Sequence, residues 1–160
     1  MTLRPYEPAD RPGCLRVFYS NVPEYFAPAE IDDFTAYIDD AAQRSHHKES
    51  DWQHAYFVVS AAEDILACGG YAIHQPKAEA WLTWGMVLHR QQRMGIGQKL
   101  LMYRLKAIFT ACPGVTIHLD TTQLSYRFFE RAGFQVTAIN KDAYGPGYDR
   151  IDMICRQPNG

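Results

Sequence analysis

The segment Val87-Leu88-His89-Arg90-Gln91-Gln92-Arg93-Met94-Gly95-Ile96-Gly97 has the residue types and spacing of an anion-binding turn. Two glycines separated by one residue let the backbone approach a ligand closely. If a helix starts there, its free N–H groups and the positive end of its dipole favour a negative charge. Arg90 and Arg93 add full positive charge beside that point. A pyrophosphate is the natural guest. Two common phosphate motifs are excluded: the Rossmann fingerprint needs glycine where Leu100 stands, and a P-loop needs Gly-Lys-Ser/Thr where Gly97-Gln98-Lys99 stands.

The elements on either side must present this turn. Before it, Ala55–Val59, Ile65–Ile73 and Ala80–Leu88 read as three strands of an antiparallel meander. After it, Ile96, Leu100, Leu101, Leu105 and Ile108 give a helix from about Gly95 to Ala111, ended by Cys112-Pro113-Gly114. Val115, Ile117 and Leu119 alternate as a strand, and His118 points to the other side. Ser125–Ala132 reads as a short helix capped by Gly133. Two strands follow, Phe134–Ile139 and Tyr148–Cys155.

Upstream, Thr2–Tyr6 is a first strand. A helix follows with Asp10 as N-cap and Pro12 in its first turn, broken by Asn21-Val22-Pro23. A second helix starts near Pro28, its apolar face made by Ile31, Phe34, Tyr37 and Ile38, and Gln43–Trp52 reads as a polar loop. Hairpins mixed with strand–helix–strand units predict an α/β chain of the α+β type. Its mixed, mostly antiparallel central sheet has about seven strands flanked by about four helices, with residues 1–160 in a single domain.

Composition narrows the function. The 160 residues are 47% hydrophobic and 21% charged, with a formal net charge of −2. There is no global basic field for nucleic acid. No apolar run approaches the length of a membrane span, and no apolar leader follows Met1. Cys14, Cys68, Cys112 and Cys155 are scattered, without metal-ligand spacing, so no metal site is expected. These features predict a cytoplasmic protein with reduced thiols.

Gln92-x-x-Gly95-x-Gly97 after a strand ending near Val87 resembles the cofactor loop of the GNAT acetyltransferase superfamily, Q/R-x-x-G-x-G/A. Ser125-Tyr126-Arg127-Phe128-Phe129-Glu130-Arg131-Ala132-Gly133-Phe134 resembles that superfamily's second signature. The separation of the two segments and the order of elements also match, so the likeness covers most of the chain. It implies acetyl-CoA as donor. It also implies that Met86, Val87 and Leu88 pair with the pantetheine arm. The pyrophosphate would lie on Gln92, Arg93, Met94, Gly95, Ile96, Gly97 and Gln98. A splay between the strands at Val87 and Leu119 would admit the acetyl group, and Ser125 and Phe129 would line the cofactor's other side.

One position departs from the family pattern. The tyrosine that commonly protonates the leaving thiolate is replaced by Phe129. Tyr126, one helical turn earlier, is the candidate acid. Glu79, on the third meander strand, and Asp120, at the end of the strand at the splay, are candidate bases. Asn21–Phe26, Trp84 and Tyr144–Arg150 are candidate walls of an acceptor pocket. The resemblance does not fix the acceptor; the expected one is a primary amine of a small molecule, with direct transfer in a ternary complex. A protein amine acetyltransferase and a non-catalytic acetyl-CoA-binding module are the alternatives. The resemblance is compatible with a homodimer.

Overall fold

The computed structural model describes residues 1–46 and 50–157. Its strands are β1 (Thr2–Pro5), β2 (Trp52–Ala61), β3 (Asp64–His74), β4 (Glu79–Val87), β5 (Thr116–Thr121), β6 (Gln135–Gly145) and β7 (Tyr148–Arg156). They form one sheet in the order β1-β2-β3-β4-β5-β7-β6. All neighbours are antiparallel except β4 and β5. A parallel pair needs a crossover, and α3 (Ile96–Ala111) supplies it.

The other helices are α1 (Arg11–Ser20), α2 (Ile31–His46) and α4 (Tyr126–Arg131). α1 and α2 cover one face of the sheet, burying Val17, Phe18, Phe34 and Ile38 against Val58, Cys68 and Met86. α3 and α4 cover the other, where Leu100, Leu101, Leu105 and Ile108 pack with Ile73, Ala80, Ile117 and Met153. Alternation along each strand feeds both cores, so the central strands are apolar on both faces.

Two expectations need correction. The polar stretch from Gln43 is helical as far as His46, because α2 buries Ala41 and its last turn is closed by Ser45 donating to Ala41 C=O, 3.1 Å. The rest of the expected loop is broken by Trp52, which already begins β2, while residues 47–49 lie outside the described residues. β6 does not stop at Ile139 but continues to Gly145, its exposed half held only by pairing with β7. Asp10 stands at the N-cap of α1 as expected, but its carboxylate bonds the preceding turn and not α1, accepting from Glu7 N–H and from both terminal nitrogens of Arg4, each at 2.8 Å.

Candidate active site

β4 and β5 pair only at Glu79–Thr116, Ala80–Ile117 and Trp81–His118. Beyond that they diverge, leaving Leu82–Val87 and Leu119–Thr121 as two facing edges without a partner strand between them. β5 is still held on its other side by β7. A splayed pair of strands of this kind can accept an extended, amide-bearing ligand as if it were a further strand.

The divergence has a local cause in β4. Cys68 opposes Met86 and Gly70 opposes Thr83, so Gly69 alone faces both Trp84 and Gly85. This is a β-bulge, which bends and twists its strand. Trp84 takes φ 39°, a left-handed conformation costly for a bulky residue. Its ring is locked among Phe34 (5.2 Å between centroids), Phe26 (6.0 Å) and Phe18 (6.1 Å), and its carbonyl accepts from Tyr56 Oη at 2.9 Å. After the bulge, Leu88 N–H donates to Leu66 C=O, 2.8 Å. Strand alternation therefore turns the Val87 N–H the other way, into the splay.

At the end of β4 the chain enters the loop to α3. Arg93 (φ 66°) and Gly95 (φ 84°) are both left-handed, and the first helical bond runs from Lys99 N–H to Gly95 C=O. Among the described residues, none of the six N–H groups from Arg93 to Gln98 donates to a protein acceptor. They lie at the positive end of a 16-residue helix. A Cβ at Gly95 would project into open space. One at Gly97 would close on Val87 Cγ2 (3.3 Å) and Phe128 Cζ (3.6 Å). The donors and the shallow cradle fit a pyrophosphate.

Within this segment the predicted cofactor residues divide. Arg93, Met94, Gly95 and Gln98 are exposed, whereas Ile96 is buried in the α3 core. Gln92 is a tether: its Nε2 donates to Asn21 Oδ1 at 2.7 Å. Asn21, only 1% exposed, donates Nδ2 to the carbonyls of Val17 and Val87, both at 2.9 Å. Ser20 Oγ accepts from His89 N–H at 3.1 Å. The end of α1 thus fixes the loop and the end of β4 together. Asn21→Ala strands buried polar groups on three segments. It is expected to cost about 2–3 kcal/mol and lower the melting temperature by roughly 5–10 °C, measured calorimetrically.

Met86 and Leu88 point into the α1–α2 core, and Val87 points towards Gly97. On α4, Phe129 packs against Phe134 and Phe128 (centroids 5.9 and 5.1 Å). Phe128, absent from the sequence-based set, is the α4 side chain beside Gly97. Its spacing of three from Ser125 was the available signal. Ser125 is the N-cap of α4, and Tyr126 Oη accepts from Arg127 Nε at 3.2 Å.

The candidate bases fall at opposite ends of the splay. Glu79 lies at the closed end, 3.7 Å from His118 Nε2, whose ring stacks on Trp81. Asp120 lies in the open part, directly opposite Asp152 on β7. Asp120 is exposed, but desolvation by the surrounding protein raises its pKa, helped by the Asp152 charge and opposed by Arg150. Glu30, from the turn before α2, is also raised, first by burial, and feels Asp120 and Asp33. Arg150 Nε is spent on Asp152 at 2.8 Å. Like charges opposed across strands destabilise a sheet, and Arg150 offsets part of that repulsion here.

The mouth is strapped. Tyr148 Oη, on the β6–β7 hairpin, donates to Pro23 C=O. Gln123 holds the same hairpin by donating to Gly147 C=O (2.7 Å) and accepting from Asp149 N–H (3.0 Å). Glu24 meets His89 Nε2 at 2.7 Å, so the loop after α1 contacts both rims.

No curated protein matches the sequence. Solved structures that share its fold include a GNAT-family protein from Desulfovibrio desulfuricans (21% identity, TM-score 0.79, covering 97% of this chain and 98% of that one). Another is an aminoglycoside 6'-N-acetyltransferase complexed with coenzyme A (14% identity, TM-score 0.75, 100% and 99%). A third is the ribosomal-protein-S18-alanine N-acetyltransferase of Escherichia coli (18% identity, TM-score 0.73, 99% and 96%). The sequence model of the acetyltransferase (GNAT) family matches residues 15–134, a span containing both facing strand edges, the α3 loop and α4. The chain belongs to the GNAT family of N-acetyltransferases, whose acetyl donor is acetyl-CoA.

Proposed function

We propose that the protein transfers the acetyl group of acetyl-CoA directly to the primary amine of a small molecule. The observation that carries this reading is the splay itself. At its open end a row of free N–H groups follows the β4 edge, and the β5 edge carries Asp120, which with Glu30 makes an acidic patch. Acetyl-CoA supplies an activated acetyl thioester. The N–H groups of residues 93–98 would hold its pyrophosphate, and the edge of β4 with Phe128 would flank its arm. The Val87 N–H is a donor available on that edge.

Asp120 is our choice for the base, because it stands in the open part of the splay, whereas Glu79 is paired with His118 at the closed end. An amine reaches the site as ammonium, and the acidic patch attracts it. Asp120 takes the ammonium proton; the amine nitrogen then bonds to the acyl carbon as the carbon–sulfur bond breaks. The electron pair leaves on sulfur, which is protonated to the free thiol, and the new amide nitrogen gives up its second proton to solvent. Phe129 cannot give that proton, and Tyr126 is the one hydroxyl on α4. Tyr126→Phe is expected to lower kcat about three- to tenfold, below the usual range for a full general acid. An unchanged alkaline limb of the pH–rate profile would count against its donating a proton.

The strap from Tyr148 to Pro23 supports a small acceptor over a polypeptide, which would have to pass it. Four free, buried cysteines accord with the cytoplasm. Among the described residues no helix is long and apolar enough to cross a membrane. The test is release of free thiol from acetyl-CoA across a set of small primary amines and N-terminal peptides. Turnover with small amines supports the proposal. Turnover with peptides alone would replace it by the protein-amine reading, and none with either would favour a binding module.

A further inference from the structure

α3 carries one charged residue on its buried stripe. Arg104 is 4% exposed among Leu100, Leu101, Leu105 and Ile108. Its Nη1 donates to Gly70 C=O at 3.2 Å, and its Nε has no hydrogen-bond partner. Among the described residues no carboxylate pairs with it. Its nearest titratable neighbours are two phenols and a thiol, on Tyr56, Tyr37 and Cys68. Burial pulls the guanidinium down to about 10, which still leaves it charged at neutral pH.

A buried charge without a counter-ion is costly, and the sheet is shaped around this one. A Cβ at Gly85 would lie 2.7 Å from Nη2, and one at Gly69 would lie 3.1 Å from Cζ. Gly85 belongs to the β4 bulge and Gly69 faces it from β3, within the stretch where β4 has no β5 partner. Trp84 and Tyr56 clamp the bulge from one face, and Arg104 props it from the other.

We propose that Arg104 is a positioning residue for acetyl transfer, its fixed positive charge behind Gly85 favouring negative charge on the thioester oxygen and the departing sulfur. This rests on acetyl-CoA being the donor. A field aimed at developing charge needs no proton transfer, and so it offsets the missing hydroxyl at Phe129. The electron pair of the broken carbon–sulfur bond stays on sulfur, its charge held by this field until the proton arrives.

The thiol of bound coenzyme A reads that field without any acceptor. Wild type, Arg104→Lys and Arg104→Met are loaded with free coenzyme A, and thiolate absorbance is followed against pH. Asp120, Glu30 and Asp152 oppose the shift and Arg150 aids it, while Tyr126 stands on α4; all are common to the three proteins. The wild-type bound thiol is expected to titrate below free coenzyme A, and about one pH unit below the Arg104→Met complex, with lysine restoring most of the difference. Coenzyme A affinity should stay within about threefold in the methionine variant, since a charge acting on the sulfur leaves pyrophosphate binding alone. With an active amine, kcat should fall about tenfold at unchanged KM for acetyl-CoA. A bound wild-type thiol titrating at or above free coenzyme A, or alike in wild type and Arg104→Met, would overturn the proposal. Should the methionine variant not fold, Gly85→Ala displaces the guanidinium tip and is expected to raise the bound thiol's pKa, and no rise would overturn it equally. If wild type binds no coenzyme A, the donor reading fails first and this proposal with it; a bound but unshifted thiol sinks this proposal alone.

Discussion

Gly95→Glu is expected to weaken acetyl-CoA binding about a hundredfold, the equivalent of roughly 2–3 kcal/mol. Two effects add. At φ 84° a residue with a Cβ is strained, which costs about 1–2 kcal/mol and disturbs the loop. A Cβ there meets open space, so the glutamate side chain is free to turn its carboxylate towards the anion site. There it repels a pyrophosphate and occupies the N–H groups meant for it. Gly95→Ala separates the two contributions: it carries the strain without the charge, so a loss of only a few-fold is expected. The check is titration calorimetry of both variants. Wild-type affinity in the glutamate variant would refute the assignment of this loop.

Asp120→Asn is expected to lower kcat/KM for the amine roughly a hundredfold, the lower range for a general base. The same substitution should stabilise the protein at neutral pH. The folded-state pKa of Asp120 is raised, chiefly because the surrounding protein removes part of the water around this exposed carboxylate, and further by Asp152. A carboxyl with a raised folded pKa disfavours folding once it is ionised, above that pKa. Its cost disappears as pH falls through the folded value to the unfolded one. The asparagine variant should therefore melt higher than wild type at pH 7, and the advantage should fade towards pH 3–4, the ordinary aspartate range. Higher stability with lower activity marks a charge retained for function. An equal melting temperature together with undiminished turnover would remove Asp120 from the site.

The two regions differ in how far the sequence foretold them. The α3 loop was legible because its information is local: a strand end, two arginines and two glycines within eleven residues define both the conformation and the charge. The succession of strands and helices along the chain followed from hydrophobic periodicity for the same reason. The bulge at Trp84–Gly85 was not legible, because it depends on the register of β3 against β4 and on side chains from β2, α2 and α3. Arg104 left a trace, a charge on a stripe of leucines, but its purpose needs Gly69 and Gly85 beside it. Glu30 joins Asp120 across ninety residues of chain, and no local pattern signals that. Gln92 was assigned to the ligand from its motif, whereas its side chain is turned inward to Asn21 because the carbonyl at the end of β4 needs partners.

The central claim is that the β4–β5 splay and the α3 loop together hold acetyl-CoA. Titration calorimetry of the wild-type protein with acetyl-CoA tests it most directly, with adenosine diphosphate as the fragment that reaches the loop but not the splay. The account predicts micromolar binding of acetyl-CoA, with adenosine diphosphate weaker by roughly tenfold or more, since only the whole molecule pairs with the strand edges. No binding of acetyl-CoA at millimolar concentration, or equal affinity for the two ligands, would contradict it.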